Sequence, residues 1–131
     1  MLELDDDSAI AALRKRFADF YDALLVEVHL QLPSAKRDRR AFVRLLAEDG
    51  DGTWCSVAFV LEELREFKLV EGRTSSLVLS DGLGVHRVDG GVFLDLSPFT
   101  DQPVAPADLR RSYAYFFGAG CAVEVSEAAD D

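Results

Sequence analysis

From Asp22 onward, apolar and polar side chains take turns along the chain, and only the first twenty residues keep a helical period. Asp7 and Ser8 are natural N-caps, and Ile10, Leu13 and Phe17 follow at helical spacing, so an amphipathic helix is predicted over 8–19. Leu24, Val26, Val28, Leu30 and Leu32 then alternate with Glu27, His29 and Gln31, the pattern of a long strand with one dry and one wet side, ended by Pro33. A polar connector over 34–38 leads to a second strand over 40–48 that is partly apolar on both faces. Asp49-Gly50-Asp51-Gly52 reads as a hairpin turn. The strand it feeds, 53–61, is the most apolar and is expected in the middle of the sheet. Residues 62–70 read as a turn followed by a strand ending at Glu71-Gly72.

The stretch 75–98 contains three short apolar runs, Leu77–Leu79, Leu83–Val88 and Val92–Leu96, separated by Asp81-Gly82 and Asp89-Gly90-Gly91. Asp-Gly pairs favour positive φ in tight turns, so a three-stranded antiparallel meander is expected. Pro103 and Pro106 mark a loop over 100–108 with one helical turn near 106–109. Runs 111–117 and 120–126 read as a final hairpin hinged at Gly118-Ala119-Gly120, before an acidic tail over 127–131. The connections are too short for crossover helices. The expectation is therefore an α+β fold in a single domain over 1–131: an N-terminal helix, then about eight mostly antiparallel strands forming a curved sheet or partly open barrel that the helix covers.

Composition adds limits to function. With 131 residues, 49% hydrophobic and 29% charged, the chain can bury one core and is not a disordered polymer. No apolar run approaches membrane-spanning length, and the acidic start Met1–Asp7 is the reverse of a secretory signal, which predicts a cytoplasmic protein with no membrane partner. The net charge of −10 opposes binding to nucleic-acid phosphates and favours a basic protein partner. Cys55 and Cys121, far apart and each within an apolar run, read as buried free thiols.

No catalytic signature stands out. Neither His29 nor His86 has metal-ligand spacing around it, and Ser80 and Ser97 lie outside any nucleophile elbow. The Asp49–Gly52 turn resembles a calcium loop only until its twelfth position, which is Val60 rather than Glu. There is no glycine-rich phosphate cradle, and Asp95 is expected in solvent. No catalytic residue, metal or cofactor is therefore assigned. Two binding surfaces are candidates: the aromatic set Tyr113, Tyr115 and Phe117 with Trp54 nearby, and the basic block from Lys36 to Arg44, above all Arg37, Arg39 and Arg40.

The entry Phe20-Tyr21-Asp22-Ala23-Leu24-Leu25 into a long strand, the turn before Trp54, and the run into Leu64-Arg65-Glu66-Phe67-Lys68-Leu69 together resemble small bacterial immunity proteins of polymorphic toxin systems. Tyr21 stands where that family has His. The resemblance spans about half the chain and implies a non-enzymatic protein that neutralises a toxin by binding it. An acidic chain would suit a basic toxin. The alternative expectation is a small-ligand-binding or enzymatic domain, its pocket at the mouth of the curved sheet and lined by aromatics with His29 or His86. Exposed strand edges leave a homodimer open as well.

Overall fold

A computed structural model describes residues 1–70, 78–98 and 106–128. Its elements are β1 (Leu2–Glu3), α1 (Asp7–Arg16), β2 (Ala23–Gln31), β3 (Arg40–Glu48), β4 (Trp54–Leu69), β5 (Val78–Leu79), β6 (Gly84–Val88), β7 (Gly91–Asp95), α2 (Pro106–Leu109) and β8 (Ala114–Glu127). Every strand pairing is antiparallel, in the order β5-β2-β3-β4-β8-β7-β6, with β1 added beside β8. The fold class read from the sequence holds: α+β, with an N-terminal helix against a curved antiparallel sheet.

The curvature follows from chain length. Laid flat, the seven strands from β5 to β6 would span about 29 Å at ~4.8 Å per neighbour. Yet β5 and β6 are consecutive, joined through only residues 80–83, a link that reaches at most about 18 Å. The sheet must curl until its two ends approach, which makes it a half-barrel. The remaining gap is closed by the segment after α1. There Ala18, Asp19 and Phe20 all take left-handed backbone (φ 50, 58 and 61), and the Asp19 carbonyl accepts a 3.0 Å hydrogen bond from the Leu83 N–H. Gly82 lies so close that a Cβ there would sit 2.6 Å from the same oxygen.

Helix α1 is capped by Asp6, whose Oδ1 accepts from the Ala9 N–H at 2.8 Å, one residue before Asp7 and two before Ser8. It ends at Arg16, three residues short of the predicted 19, because the left-handed turn unwinds it. The turn aims Phe20 into the barrel, where it stacks on Phe17 at 5.0 Å and meets the edge of Phe59 at 6.0 Å. Phe20, Phe59 and Phe116 are fully buried. Side chains thus fill the concave interior, where the sequence suggested a pocket mouth. Cys55 and Cys121 are free and buried. Burial, then the charge of Glu3, pushes the Cys121 thiol up to about 12.

Four strand assignments differ from the sequence reading. The 75–98 meander is a hairpin only over β6 and β7, whereas β5 pairs with β2 at the opposite end of the sheet. In β2, Leu25 faces Leu45 but Glu27 faces Arg44, so Val26 is an inserted bulge residue. The bulge flips the alternation: Leu25, Val28 and Leu30 pack on the core and Val26 turns out. Residues 62–70 contain no turn; β4 runs through them with a second bulge between Leu64 and Glu66, beside Glu63 at φ 48. The expected final hairpin is one 14-residue strand, β8.

Gly118 and Gly120 sit inside β8, paired with Leu64 and Glu62. A Cβ on Gly118 would come 2.7 Å from the Glu62 carbonyl oxygen, and one on Gly91 would come 2.4 Å from the Gly118 oxygen. Glycine is needed here for close approach of three backbones rather than for reversal. The predicted strand end at Glu71-Gly72, the meander's first residues 75–77, the Pro103 loop and the end of the acidic tail lie outside the described residues.

Candidate interaction surface

Alternation sends Val43, Leu45, Val57, Phe59 and Leu61 inward, so their neighbours must point out of the barrel. The cross-strand register lines them up in rows: His29–Phe42–Val60–Ala122, Glu27–Arg44–Ala58–Glu124 and Leu24–Leu46–Ser56–Ser126. Phe42 is 42% exposed, and Trp54, at the end of the same face opposite Glu48, is 45% exposed. Val26 is exposed beside them, while Leu24, Leu46 and Val60 are half-buried. No element among the described residues lies over this face. Its one ion pair, Arg44 Nε to Glu27 Oε2 at 3.2 Å, is solvated and contributes little to stability.

The far end of the outer surface is covered. Phe93, Leu109, Tyr115 and Phe117 form a second buried cluster over β7 and β8, with Leu109 supplied by α2. The Phe93 and Tyr115 rings stack at 4.6 Å, and the Arg65 guanidinium lies 5.4 Å above the Phe117 ring. Tyr115 donates its hydroxyl to Glu66 Oε1, while Arg110 Nε reaches the two Glu66 oxygens at 3.2 and 3.1 Å. Burial first, and then the Glu66 hydrogen bond and charge, push the Tyr115 phenol up to about 12. On Glu66 itself burial acts upward, but the bonds from Tyr115 and Arg110 outweigh it and the carboxyl falls below its usual value.

Beneath α2, Asp95 and Ser112 are both buried, with Ser112 Oγ 2.5 Å from Asp95 Oδ1 and the Ser97 N–H donating to that oxygen at 3.0 Å. Asp95 is not in solvent, as the strand pattern suggested. Burial raises its pKa, and the Ser112 and Ser97 bonds only partly oppose this.

The aromatic set picked from the sequence therefore separates. Tyr115 and Phe117 are interior, Tyr113 is exposed just before β8, and Trp54 stands near the opposite end of β4. The basic residues separate too. Arg40 joins the outer face between Gln31 and Glu62. Arg39 is tied down, its Nε to the Pro33 carbonyl at 3.3 Å and its own carbonyl to the Leu64 N–H at 2.9 Å. Arg37 is exposed on the wall of a cleft of about 240 Å³ shared with Glu63, Leu64 and Arg65.

His29 is exposed next to Phe42, and His86 is half-buried on β6 with its pKa lowered, by burial first and then by the Arg14 charge. Among the described residues no group of three or more His, Cys, Asp or Glu could hold a metal ion, and no helix is long and apolar enough to cross a membrane. Phe42 and Val26 were missed as surface residues. Phe42 lies on a strand apolar on both sides, and Val26 is turned out by a bulge that its composition does not announce. Comparison with family models, with curated proteins and with solved structures returned no match.

Proposed function

We propose that this chain acts by binding another protein through the outer face of β2, β3, β4 and β8, and that it serves as an immunity factor that neutralises a basic toxin. One observation carries the reading: a continuous sheet face, covered by no element among the described residues, that exposes Phe42 and Trp54 among half-buried aliphatic side chains. Such a patch, rimmed by charge, is the usual mark of an interaction site, and aromatic anchors supply most of the binding energy in protein interfaces. The net charge of −10 speeds encounter with a cationic partner, and the face shares that sign: Glu27 is compensated by Arg44, but Glu48, Glu62 and Glu124 stand on it against Arg40. The blocking would be steric, since the reading assigns no reaction to the chain.

The test is capture from the native cell, with the product of the neighbouring gene as first candidate. Phe42→Asp is expected to abolish capture while the chain stays folded with a melting temperature lower by several degrees, since Phe42 is 42% exposed and its loss costs strand packing of about 1 kcal/mol. Trp54→Ala should weaken binding by about 2 kcal/mol, as for an interface anchor. Capture of the same partner by wild type and Phe42→Asp alike would defeat the assignment of the face. Recovery of no protein partner, with a thermal shift caused by a metabolite, would defeat the function.

A further inference from the structure

β4 is longer than its neighbour. β3 pairs with it only over residues 54–62, while β8 follows it to Leu69. Past Glu62, the side of β4 turned away from β8 makes one described bond, from the Leu64 N–H to the Arg39 carbonyl. The single 3-10 turn Lys36–Asp38, just before Arg39 in the chain, packs on β4, and residues 65–69 have no strand beside them there among the described residues. The cleft bounded by Arg37, Glu63, Leu64 and Arg65 opens where β3 stops. Phe67, Leu69 and Val70 are exposed along this stretch, at 39, 48 and 52%.

Which backbone groups face the gap follows from the ladder. The Val70 N–H bonds the Tyr113 carbonyl, in register with Leu69 opposite Ala114. Residues 66 and 68 therefore also direct their N–H and C=O groups at β8, and 67 and 69 direct theirs outward. Two further edges are less open to pairing. The free side of β2 is broken by the bulge at Val26, and β6 is only five residues long; bulges and short length are the common ways of blunting an edge.

We propose that this free side of β4 pairs, antiparallel and about a two-fold axis at Phe67, with the same segment of a second copy of the chain. The segment is complementary to itself: reversal about Phe67 sets Glu66 opposite Lys68 of the other copy, and Lys68 opposite its Glu66. Each Lys68 ammonium, held within its own chain by the Arg110 carbonyl at 3.3 Å, is brought beside a Glu66 carboxylate already shared by Arg110 and Tyr115, and opposite charges face each other twice across the axis. The Phe67 amides exchange hydrogen bonds at the axis and the two rings meet on one face. Self-association here joins two half-barrels edge to edge and leaves the Phe42 face of both copies outside the contact.

Sedimentation equilibrium of the full chain tests it. Wild type is expected to pass, as concentration rises, to a species of twice 14.4 kDa. Lys68→Glu and Glu66→Lys each put like charges opposite at both pairs, so each alone is expected to dimerise at least about tenfold more weakly. An equimolar mixture of these two variants restores opposite charges at both pairs and is expected to dimerise as well as wild type, a rescue that general destabilisation cannot produce. Phe67→Pro removes an N–H that faces the gap, not the β4–β8 ladder, and also gives up the stack of the ring on Phe116 at 6.4 Å. It should give a monomer that is folded by circular dichroism but melts lower than wild type, and it decides the matter if Glu66→Lys, which also loses Tyr115 and Arg110, does not fold. A wild type of 14.4 kDa at every concentration overturns the proposal. So does a Lys68→Glu or Phe67→Pro variant that dimerises like wild type, or a mixture of folded variants that stays monomeric.

Discussion

Gly118 and Gly120 look alike in the sequence and should respond in opposite ways to the same change. In the backbone that surrounds Gly118, a Cβ would lie 2.7 Å from the Glu62 carbonyl oxygen and 3.4 Å from the Leu61 Cβ. Carbon and oxygen do not tolerate a non-bonded contact that short, so β8 and β4 would have to part by about half an ångström, an overpacking strain of ~1–3 kcal/mol. The strand cannot move the other way freely, because the Gly118 carbonyl already sits 2.4 Å from where a Gly91 Cβ would be. A cost near the middle of that range, about 2 kcal/mol, lowers the melting temperature of a domain this size by roughly 6–10 °C.

Around Gly120 a Cβ would meet nothing within 4 Å. Alanine there only reduces the freedom of the unfolded chain, and a gain of about 0.5 kcal/mol is expected. The assay is urea and thermal unfolding of the Gly118→Ala and Gly120→Ala chains, followed by circular dichroism. Were these glycines the hinge of a hairpin, both substitutions would be harmful. Equal losses, or a Gly118→Ala chain as stable as wild type, would refute the reading of β8 as one strand threaded between β4 and β7.

Two predictions concern buried acids. The folded-state pKa of Asp95 is raised above its ordinary 3.8, so the folded chain holds that proton more tightly, and stability must fall as pH rises from 3.8 through the raised value. Asp95→Asn keeps an oxygen for the Ser97 and Ser112 donors and removes the charge; urea midpoints measured across the window should fall with pH for wild type relative to the variant, and parallel curves would contradict this. For Tyr115, raised from 10 to about 12, the folded state again favours the protonated form, so its contribution is lost as pH climbs from 10 towards 12. Its phenolate absorbance should appear near 12, and Glu66→Gln should bring it down without reaching 10, since burial is the larger cause; an unchanged titration would mean the Glu66 bond is not made.

What the sequence made legible was set by local chemistry. Asp49 was read as a turn residue, and its Oδ1 accepts from the Asp51 and Thr53 N–H groups at 2.9 and 3.0 Å; those backbone bonds, Thr53 first, hold its carboxyl below the usual value. Asp89 and Gly90, with φ of 48 and 72, likewise form the expected reversal. Alternation placed 55, 57, 59 and 61 on one face and put their strand in mid-sheet, as found. What stayed hidden was set at long range. Nothing near Leu79 says that β5 pairs with β2 rather than with β6, and a glycine required by a crossing backbone is written with the same letter as one required by a turn. Of the seven positions chosen for binding, Trp54 and Arg40 share the uncovered face, Tyr113 and Arg37 are exposed elsewhere, Arg39 is tied to backbone, and Tyr115 and Phe117 are interior.

The surfaces that matter here are consequences of mismatched strands. Had β2 alternated without interruption, Leu24 and Val28 would share a side, and either the core would lose Val28 or the outer face would lose Leu24. The extra residue at Val26 lets the first half of β2 give Leu25 to the interior and the second half give Val28 and Leu30, and it throws an apolar side chain into water on the way. In β4 the left-handed residue Glu63 (φ 48) turns Leu64 into the core, and the bulge after Leu64 then sets Glu66 beneath Tyr115. Each irregularity satisfies the core first and leaves an uncovered face or an unpaired edge as its remainder, so partners are met by geometry that no single motif encodes.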